Sequence, residues 1–454
     1  MASTPDVIIV GGGLAGLVAA RHLAGGGADV TLYERRGTVG GRVRTVERDG
    51  YRFDRGFQVL FTAYPAVRRE LDLEALSLRQ FAPGATIGGP NGRSTLADPL
   101  REPGTIPATL TNPFVSVGDA VRVARLWWNL RRTDPDAIFA DASDTSIAAY
   151  LRDRGFSNRF VDGFVAPFYG GITLDRSLST SSRVFEYTFR TLAAGDIAVP
   201  ASGMGEIPAQ LAARVRELGG TIETGVTVES VSEVTDDSNT VEASEPDGGV
   251  TVETDDGTAE ADVVVIATDP PSARDLTGIA SIPTDARACV TQYYALPPDT
   301  GLETGRRLLL NATGEGPNHV VPHSAVAPEY APDDATLISA TYLGERSETC
   351  EQSTGSGASR GANDREMSLV DRTRSTLESW YPGRGFDELE PIRTERISFA
   401  QFEQPPGFRE RLPDIRDPAG PIYLAGDYTR WSSLQGAMES GRRAAKAVID
   451  DRSG

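Results

Sequence analysis

The sequence predicts an α/β protein organised around a doubly wound parallel sheet. Three observations predict it. Asp6–Val10 is a short β-branched run leading straight into Gly11-Gly12-Gly13-Leu14-Ala15-Gly16. A second such run, Val30-Thr31-Leu32-Tyr33-Glu34, follows a helical stretch and ends on an acid. Almost the whole chain later, Tyr423-Leu424-Ala425-Gly426-Asp427 supplies another apolar run closed by an acidic residue.

The first run is apolar on both faces, as a strand buried between helices requires. Gly11 permits the tight turn, Gly13 lets backbone approach a pyrophosphate, and Gly16 lets the helix pack on the strand. A helix from Leu14 to about Ala24 then presents free N–H groups and a positive dipole end to phosphates, and Gly25-Gly26-Gly27 stops it. Glu34 stands 18 residues past Gly16, close to the spacing of a carboxylate that binds ribose hydroxyls. In Arg35-Arg36-Gly37-Thr38-Val39-Gly40-Gly41-Arg42, the glycine pair allows the chain to pass close over a diphosphate. The guanidinium of Arg42 suits its oxygens. Gly11, Gly13, Leu14, Ala15, Gly16, Glu34, Arg35, Gly40, Gly41 and Arg42 are therefore candidate contacts to a dinucleotide.

This segment resembles the FAD-binding segment shared by flavin amine oxidases, protoporphyrinogen oxidases and carotenoid desaturases. Phe53–Pro65 resembles the stretch of plant-type phytoene desaturases that passes beside the flavin ring, which implies Gly56, Phe57 and Gln58 as flavin neighbours. Pro200–Pro208 resembles the family's glycine-methionine turn, and Thr224–Val231 the strand whose valine, here Val228, holds the adenine. Ala261–Thr268 resembles the strand that returns to the cofactor domain. Tyr423–Thr429 and Gly436–Ala445 resemble the desaturase C-terminus, which implies Gly426, Asp427, Leu434, Gln435 and Ala437 at the flavin. The resemblance implies a Rossmann-like, glutathione-reductase-type FAD domain carrying an inserted α+β substrate domain. Noncovalent FAD is expected, since neither Cys289 nor Cys350 lies in a cofactor-linking context.

The C-terminal part has mechanics of its own. Asp427 can accept hydrogen bonds from ribityl or ribose hydroxyls, and Ser432 or Ser433 can cap a helix starting near Leu434. That helix would aim its dipole at the flavin's pyrimidine end.

Motif positions divide the FAD domain into 1–78, 198–275 and 415–454. The first insertion, 79–197, reads as mainly helical, with helices at Val117–Arg132 and Ser146–Arg154 and an aromatic run at Phe160–Phe168. The second, 276–414, carries strand-like runs at Ala288–Leu296, Arg307–Asn311 and Thr336–Leu343, then a helix at Leu369–Trp380. Val241–Glu260 reads as a hairpin, and Ser347–Asp364 as a polar extended loop.

A formal charge of −19 disfavours nucleic-acid partners. Lys446 is the single lysine, and abundant Asp and Glu point to a protein that stays soluble in concentrated salt, as in haloarchaea. No apolar run reaches spanning length and the N-terminus has no signal-peptide pattern, so a cytoplasmic location is expected. The two isolated cysteines and three histidines give no metal-site spacing. Ala120–Arg132 mixes Trp127 and Trp128 with Arg122, Arg125, Arg131 and Arg132, a pattern that suits peripheral contact with a membrane.

The expected chemistry is hydride removal from an apolar molecule. Phe57, Gln58, Tyr64, Phe185, Tyr187 and Trp431 are the candidate lining residues, and no catalytic side chain is singled out. His319 and His323 could approach a substrate. The resemblance to plant-type desaturases implies a carotenoid or other isoprenoid. Protoporphyrinogen- or amine-type oxidation and a non-enzymatic flavoprotein binding an apolar ligand are the alternatives. Family amine oxidases hold a lysine beside the flavin N5, and Lys446 in the final helix does not fit that role. With one dinucleotide fingerprint in the sequence, oxygen or a quinone is the expected electron acceptor.

Overall fold

Five parallel strands form the sheet announced by the glycine turn: β1 (Asp6–Val10), β2 (Asp29–Glu34), β3 (Thr221–Thr224), β4 (Val263–Ile266) and β5 (Ile422–Leu424). Their order is β3-β2-β1-β4-β5. The structure, a computed structural model, describes residues 4–453 apart from 91, 98–100, 106–111, 141–142, 234–248, 299, 345–367 and 419. Val10 pairs with Tyr33 on one side and Ile266 on the other, so the C-terminal ends of the three central strands are level. A crevice at those ends is where open α/β sheets place ligands. Helix α1 (Leu14–Gly25) packs on the long C-terminal helix α6 (Leu434–Ser453). Gly441 makes that approach possible, because a Cβ there would lie 2.1 Å from the Ala15 carbonyl oxygen.

A mixed seven-stranded sheet faces the cofactor sheet across the molecule. Its strand order is Glu390–Phe402, Ala286–Leu296, Thr336–Leu343, His319–Val321, Leu308–Asn311, Ala85–Gly89 and Gly92–Leu96. The last two strands come from 79–197, where the sequence reading marks helices alone: a hairpin from it extends the sheet of the second insertion. Ala-Thr-Ile-Gly-Gly carries little β signal of its own. Tertiary packing decides, since Gly88 lies under the Trp380 indole with no room for a Cβ (2.2 Å to a ring carbon).

Among the described residues, the rest of the first insertion is mainly helical: α2 (Pro65–Glu70) precedes it, and α3 (Val117–Leu130), α4 (Ala166–Thr173) and α5 (Ser182–Ala194) lie within it. A capping box between Ser116 and Asp119 starts α3, and Asp119 also accepts from the Ser157 N–H and hydroxyl, at 2.9 and 2.7 Å. Phe160, Phe164 and Phe168 follow one another across a π-helical turn at Val161–Val165, with ring centroids 5.5 Å apart at each step.

In the Val241–Glu260 hairpin, Val250–Thr254 pairs with Gly257–Ala261 around Asp255-Asp256, while 241–248 lies outside the described residues. Cys350 and Ser347–Asp364 also lie outside them. Among the described residues, no helix is long and apolar enough to cross a membrane.

Candidate active site

A cavity of about 690 Å³ runs from the ends of β1, β2 and β4 to the seven-stranded sheet and α4. Every candidate cofactor residue lines it except Gly16 and Gln435. The three glycines of the first turn divide their work. A Cβ on Gly11, at φ +110°, would sit 2.8 Å from the Ala267 carbonyl oxygen, and one on Gly16 would sit 2.0 Å from the Gly11 oxygen. Both are demanded by the packing of the protein itself. Gly13 differs: a Cβ there meets nothing within 4 Å, and it faces the cavity at the start of α1. An open cradle at a helix N-terminus fits a diphosphate.

Glu34 is 4% exposed and orders the turn around it, its Oε2 accepting from the Gly12 N–H at 2.9 Å and its Oε1 from the Arg36 N–H at 3.0 Å. The second glycine pair is pinned to the first turn by the Gly40 N–H donating to the Gly12 oxygen at 2.7 Å. Arg35 reaches outward, donating to Asp269 at 3.0 Å.

Arg42 and Asp427, assigned from the sequence to diphosphate and hydroxyls, are brought to each other. The Arg42 guanidinium donates to Asp427 Oδ1 at 2.7 Å and to the Ala400 oxygen at 3.1 Å, and Ser432 Oγ donates to Asp427 Oδ2 at 2.8 Å. Both residues remain on the cavity wall. Between the two cap candidates the structure separates the roles: Ser433 accepts from the Gly436 N–H at 2.8 Å and caps α6, while Ser432 serves Asp427. The Gln435 side chain turns away from the cavity and accepts from the Ala66 N–H at 2.8 Å, at the start of α2.

At the far end the wall becomes aromatic. Phe57, Gln58, Tyr64 and Trp431 line it as expected; Tyr187 and Phe185 do not. On α5 it is Val184 that reaches the cavity. Tyr187 backs Trp431 edge-on at 5.2 Å, and Phe185 packs into the helical cluster against Tyr169 at 4.6 Å. Phe185, one residue on from Val184, points to another side of α5, whereas Tyr187, three residues on, shares the side of Val184 but meets Tyr64 and Trp431 there instead of the cavity.

Phe168 and Gly171 of α4, Thr341 and Phe399 also line the cavity with no cofactor motif to mark them, as does Arg55, which lies within the Phe53–Pro65 stretch but is not singled out there. All five are brought to the site by tertiary packing. His319 lines it too, with its ring 5.1 Å from Phe57. Asn318 Nδ2, which donates to the Pro167 oxygen, also faces His319 Nδ1 at 3.0 Å, which assigns the ring proton to Nε2. That nitrogen and Gln58 Oε1 are buried without a partner among the described residues. Burial pushes the His319 imidazolium down to about 4, so the ring is neutral near pH 7. His323 lies deeper, against Ser339 Oγ at 2.8 Å.

The carboxylates on the wall are Glu34, Glu229, Asp269, Asp275 and Asp427, on the cofactor sheet and the turn after it, the strand Val228–Glu233, or the helix Pro270–Thr277 and its cap. The wall contributed by α4 and the seven-stranded sheet has neither carboxylate nor lysine among the described residues.

A parallel sheet, a glycine turn and a C-terminal helix that meet at a cavity with an apolar, aromatic far wall define a dinucleotide-dependent oxidoreductase. The chain belongs to the family of flavin containing amine oxidoreductases, whose family model matches residues 14–449. Carotenoid 3,4-desaturase of Haloarcula japonica is 54% identical over 54 residues, a match spanning 12% of this chain and only 11% of that protein. Carotenoid phi-ring synthase of Streptomyces griseus is 28% identical across 98% of this chain and 88% of its own length. In structure, a putative protoporphyrinogen oxidase from Exiguobacterium sp. 255-15 superposes with a TM-score of 0.66 at 18% identity, covering 99% of both chains. The family brings a flavin, and the open cradle at Gly13 fits one.

Proposed function

We propose that the protein is an FAD-dependent dehydrogenase that introduces a double bond into an apolar isoprenoid, with carotenoids as the leading substrate class. The observation that carries this reading is the division of one cavity into a polar end and an aromatic end free of carboxylate and lysine. Noncovalently bound FAD supplies a two-electron acceptor for a hydride from a C–H bond. The chain's own residues do the rest. The start of α1 and Gly13 receive the diphosphate, and Glu34 and Val228 face the adenosine. The Arg42–Asp427 pair holds the middle, and the Ser433-capped start of α6 faces the ring. Phe57, Tyr64 and Trp431 orient the substrate and exclude water.

Two observations bear on the alternatives. The relative aligned along 98% of the chain is named for a carotenoid, which favours that class over a porphyrinogen. The single lysine, Lys446, pairs with Asp450 at 2.5 Å on the exposed face of α6, which disfavours an amine oxidase that relies on a lysine at the flavin. Electrons then leave to oxygen or a quinone. The same reading places the protein on the cytoplasmic face of a membrane, where such substrates dissolve.

The test is anaerobic reduction of the purified yellow protein by a panel of carotenoid precursors, porphyrinogens and amines. Bleaching by the isoprenoids is expected. Bleaching by amines or porphyrinogens alone would overturn the substrate class, and no bleaching with tight ligand binding would favour a non-enzymatic flavoprotein. Release of FAD on acid precipitation tests noncovalent binding.

A further inference from the structure

Helix α3 is built with two faces. Leu126 and Leu130 are 6% and 5% exposed and lie in one apolar cluster with Phe156 and Phe160. On the other side, Val117, Val121 and Trp128 are 78%, 63% and 52% exposed, the three most exposed large hydrophobic side chains among the described residues. Their spacing, with exposed Ala124 between them, runs four, three and four residues, which is one stripe of a helix. Large side chains in this arrangement need a partner that is itself apolar.

The rim of the stripe says which partner. Arg125 and Arg132 flank it, and the Arg132 guanidinium stacks 3.7 Å over the Trp128 ring. Arg122 and Arg125 have no carboxylate partner among the described residues. In a chain of formal charge −19, this local excess of arginine around exposed valine and tryptophan matches a lipid surface with anionic headgroups. A second copy of this chain would bring another −19 to the contact.

We infer that the exposed face of α3 docks on an anionic bilayer, inserting Val117, Val121 and Trp128 among the acyl chains. The inference rests on the apolar-substrate reading for its purpose, but its geometry is independent. Behind the docking face, Phe156, Phe160, Phe164 and Phe168 stack at 5.4, 5.5 and 5.5 Å, and Phe168 lines the cavity. One continuous apolar layer therefore joins the bilayer side to the site. A helix lying in the interface with tryptophan and arginine at headgroup depth is held by apolar contact first. At ~1 M salt the Debye length is about 3 Å, so only arginines touching headgroups still contribute.

The experiment is cosedimentation of the flavin-loaded full chain with vesicles of phosphatidylglycerol or of phosphatidylcholine, at 0.1 M and 1 M KCl. Wild type is expected to pellet with phosphatidylglycerol vesicles at both salts. V121E/W128E should lower the bound fraction about tenfold. R125E/R132E should reduce binding to phosphatidylglycerol while leaving phosphatidylcholine binding alone. Both variants should keep the flavin spectrum and melting temperature of wild type. Should V121E/W128E fail to fold, quenching of tryptophan emission by brominated lipid is read in wild type and W128F, and loss of most of the quenching in W128F is expected. The inference is overturned if wild type stays in the supernatant, if the variants pellet like wild type, or if V121E/W128E instead abolishes a dimer seen without vesicles. Flavin bleaching by isoprenoids in detergent is measured separately: its failure with vesicle binding intact removes the substrate class and leaves the docking face standing.

Discussion

Arg42 and Asp427 stand 385 residues apart in the chain and meet at 2.7 Å on the cavity wall. Asp427 is 3% exposed, so its carboxylate depends on Arg42 and on the Ser432 hydroxyl for compensation. Removing the guanidinium leaves a buried charge half-paired. Arg42→Ala is expected to cost about 2 kcal/mol of stability, discounted for the partial exposure of Arg42. It should also lower FAD occupancy. Denaturant midpoints and the ratio of flavin to protein absorbance check both.

The glycine turn separates folding from binding. Gly13→Val should leave the apoprotein's melting temperature near wild type while abolishing FAD retention, because a Cβ there enters open cavity and meets no protein atom within 4 Å. Gly11→Ala should lower both, since its Cβ would collide with Ala267 at a φ that L residues avoid. Equal melting temperatures for the two variants would contradict this division.

Three buried groups, two histidines and an aspartate, set opposing pH dependences. Burial pushes His319 down to about 4 and His323 down to about 3, from an ordinary 6.5. The folded protein thus binds fewer protons than the unfolded chain below pH 6.5, and stability is lost as pH falls through that window. Burial raises Asp54 to about 6 from 3.8, against hydrogen bonds from Thr45, Met204 and Tyr330. Its contribution is full below 3.8 and is lost as pH rises through about 6. Asp54→Asn removes this compensating gain. Between pH ~7 and ~4.5 the variant should lose about 2 kcal/mol more stability than wild type does. Urea midpoints across that range give the comparison.

Trp431 and Tyr187 touch, but only Trp431 faces the cavity. Trp431→Leu should weaken binding of an apolar ligand about tenfold, roughly 1.4 kcal/mol, with FAD retained. Tyr187→Phe should leave the dissociation constant unchanged. Titration of the flavin spectrum with ligand reads both.

Much of the cofactor half was legible because its signals are local. The Asp6–Val10 strand, the three glycines and Glu34 each act within a few residues of the turn they build. The strand at Thr336–Leu343 and the helix at Leu369–Trp380 carry strong periodicity and fall where expected. The strand Glu390–Phe402 escaped notice because its arginines and glutamates suit a half-exposed position beside Ala286–Leu296. The Ala85–Leu96 hairpin escaped because its place in the sheet is won by packing under Trp380. The substrate wall was least legible. Whether Val184 or Phe185 faces inward depends on where α5 sits against the rest of the fold.

The cofactor sheet takes its strands from the beginning, the middle and the final tenth of the chain, with β5 joining β4 at the edge. During synthesis the ribosome therefore releases β1, β2, β3 and β4 long before β5 and α6 exist. The part of the cavity wall formed by Asp427, Ser433 and Leu434 is thus added only after the strands that carry the glycine turn and Glu34 have emerged, and the nascent cleft stays open on that side until then.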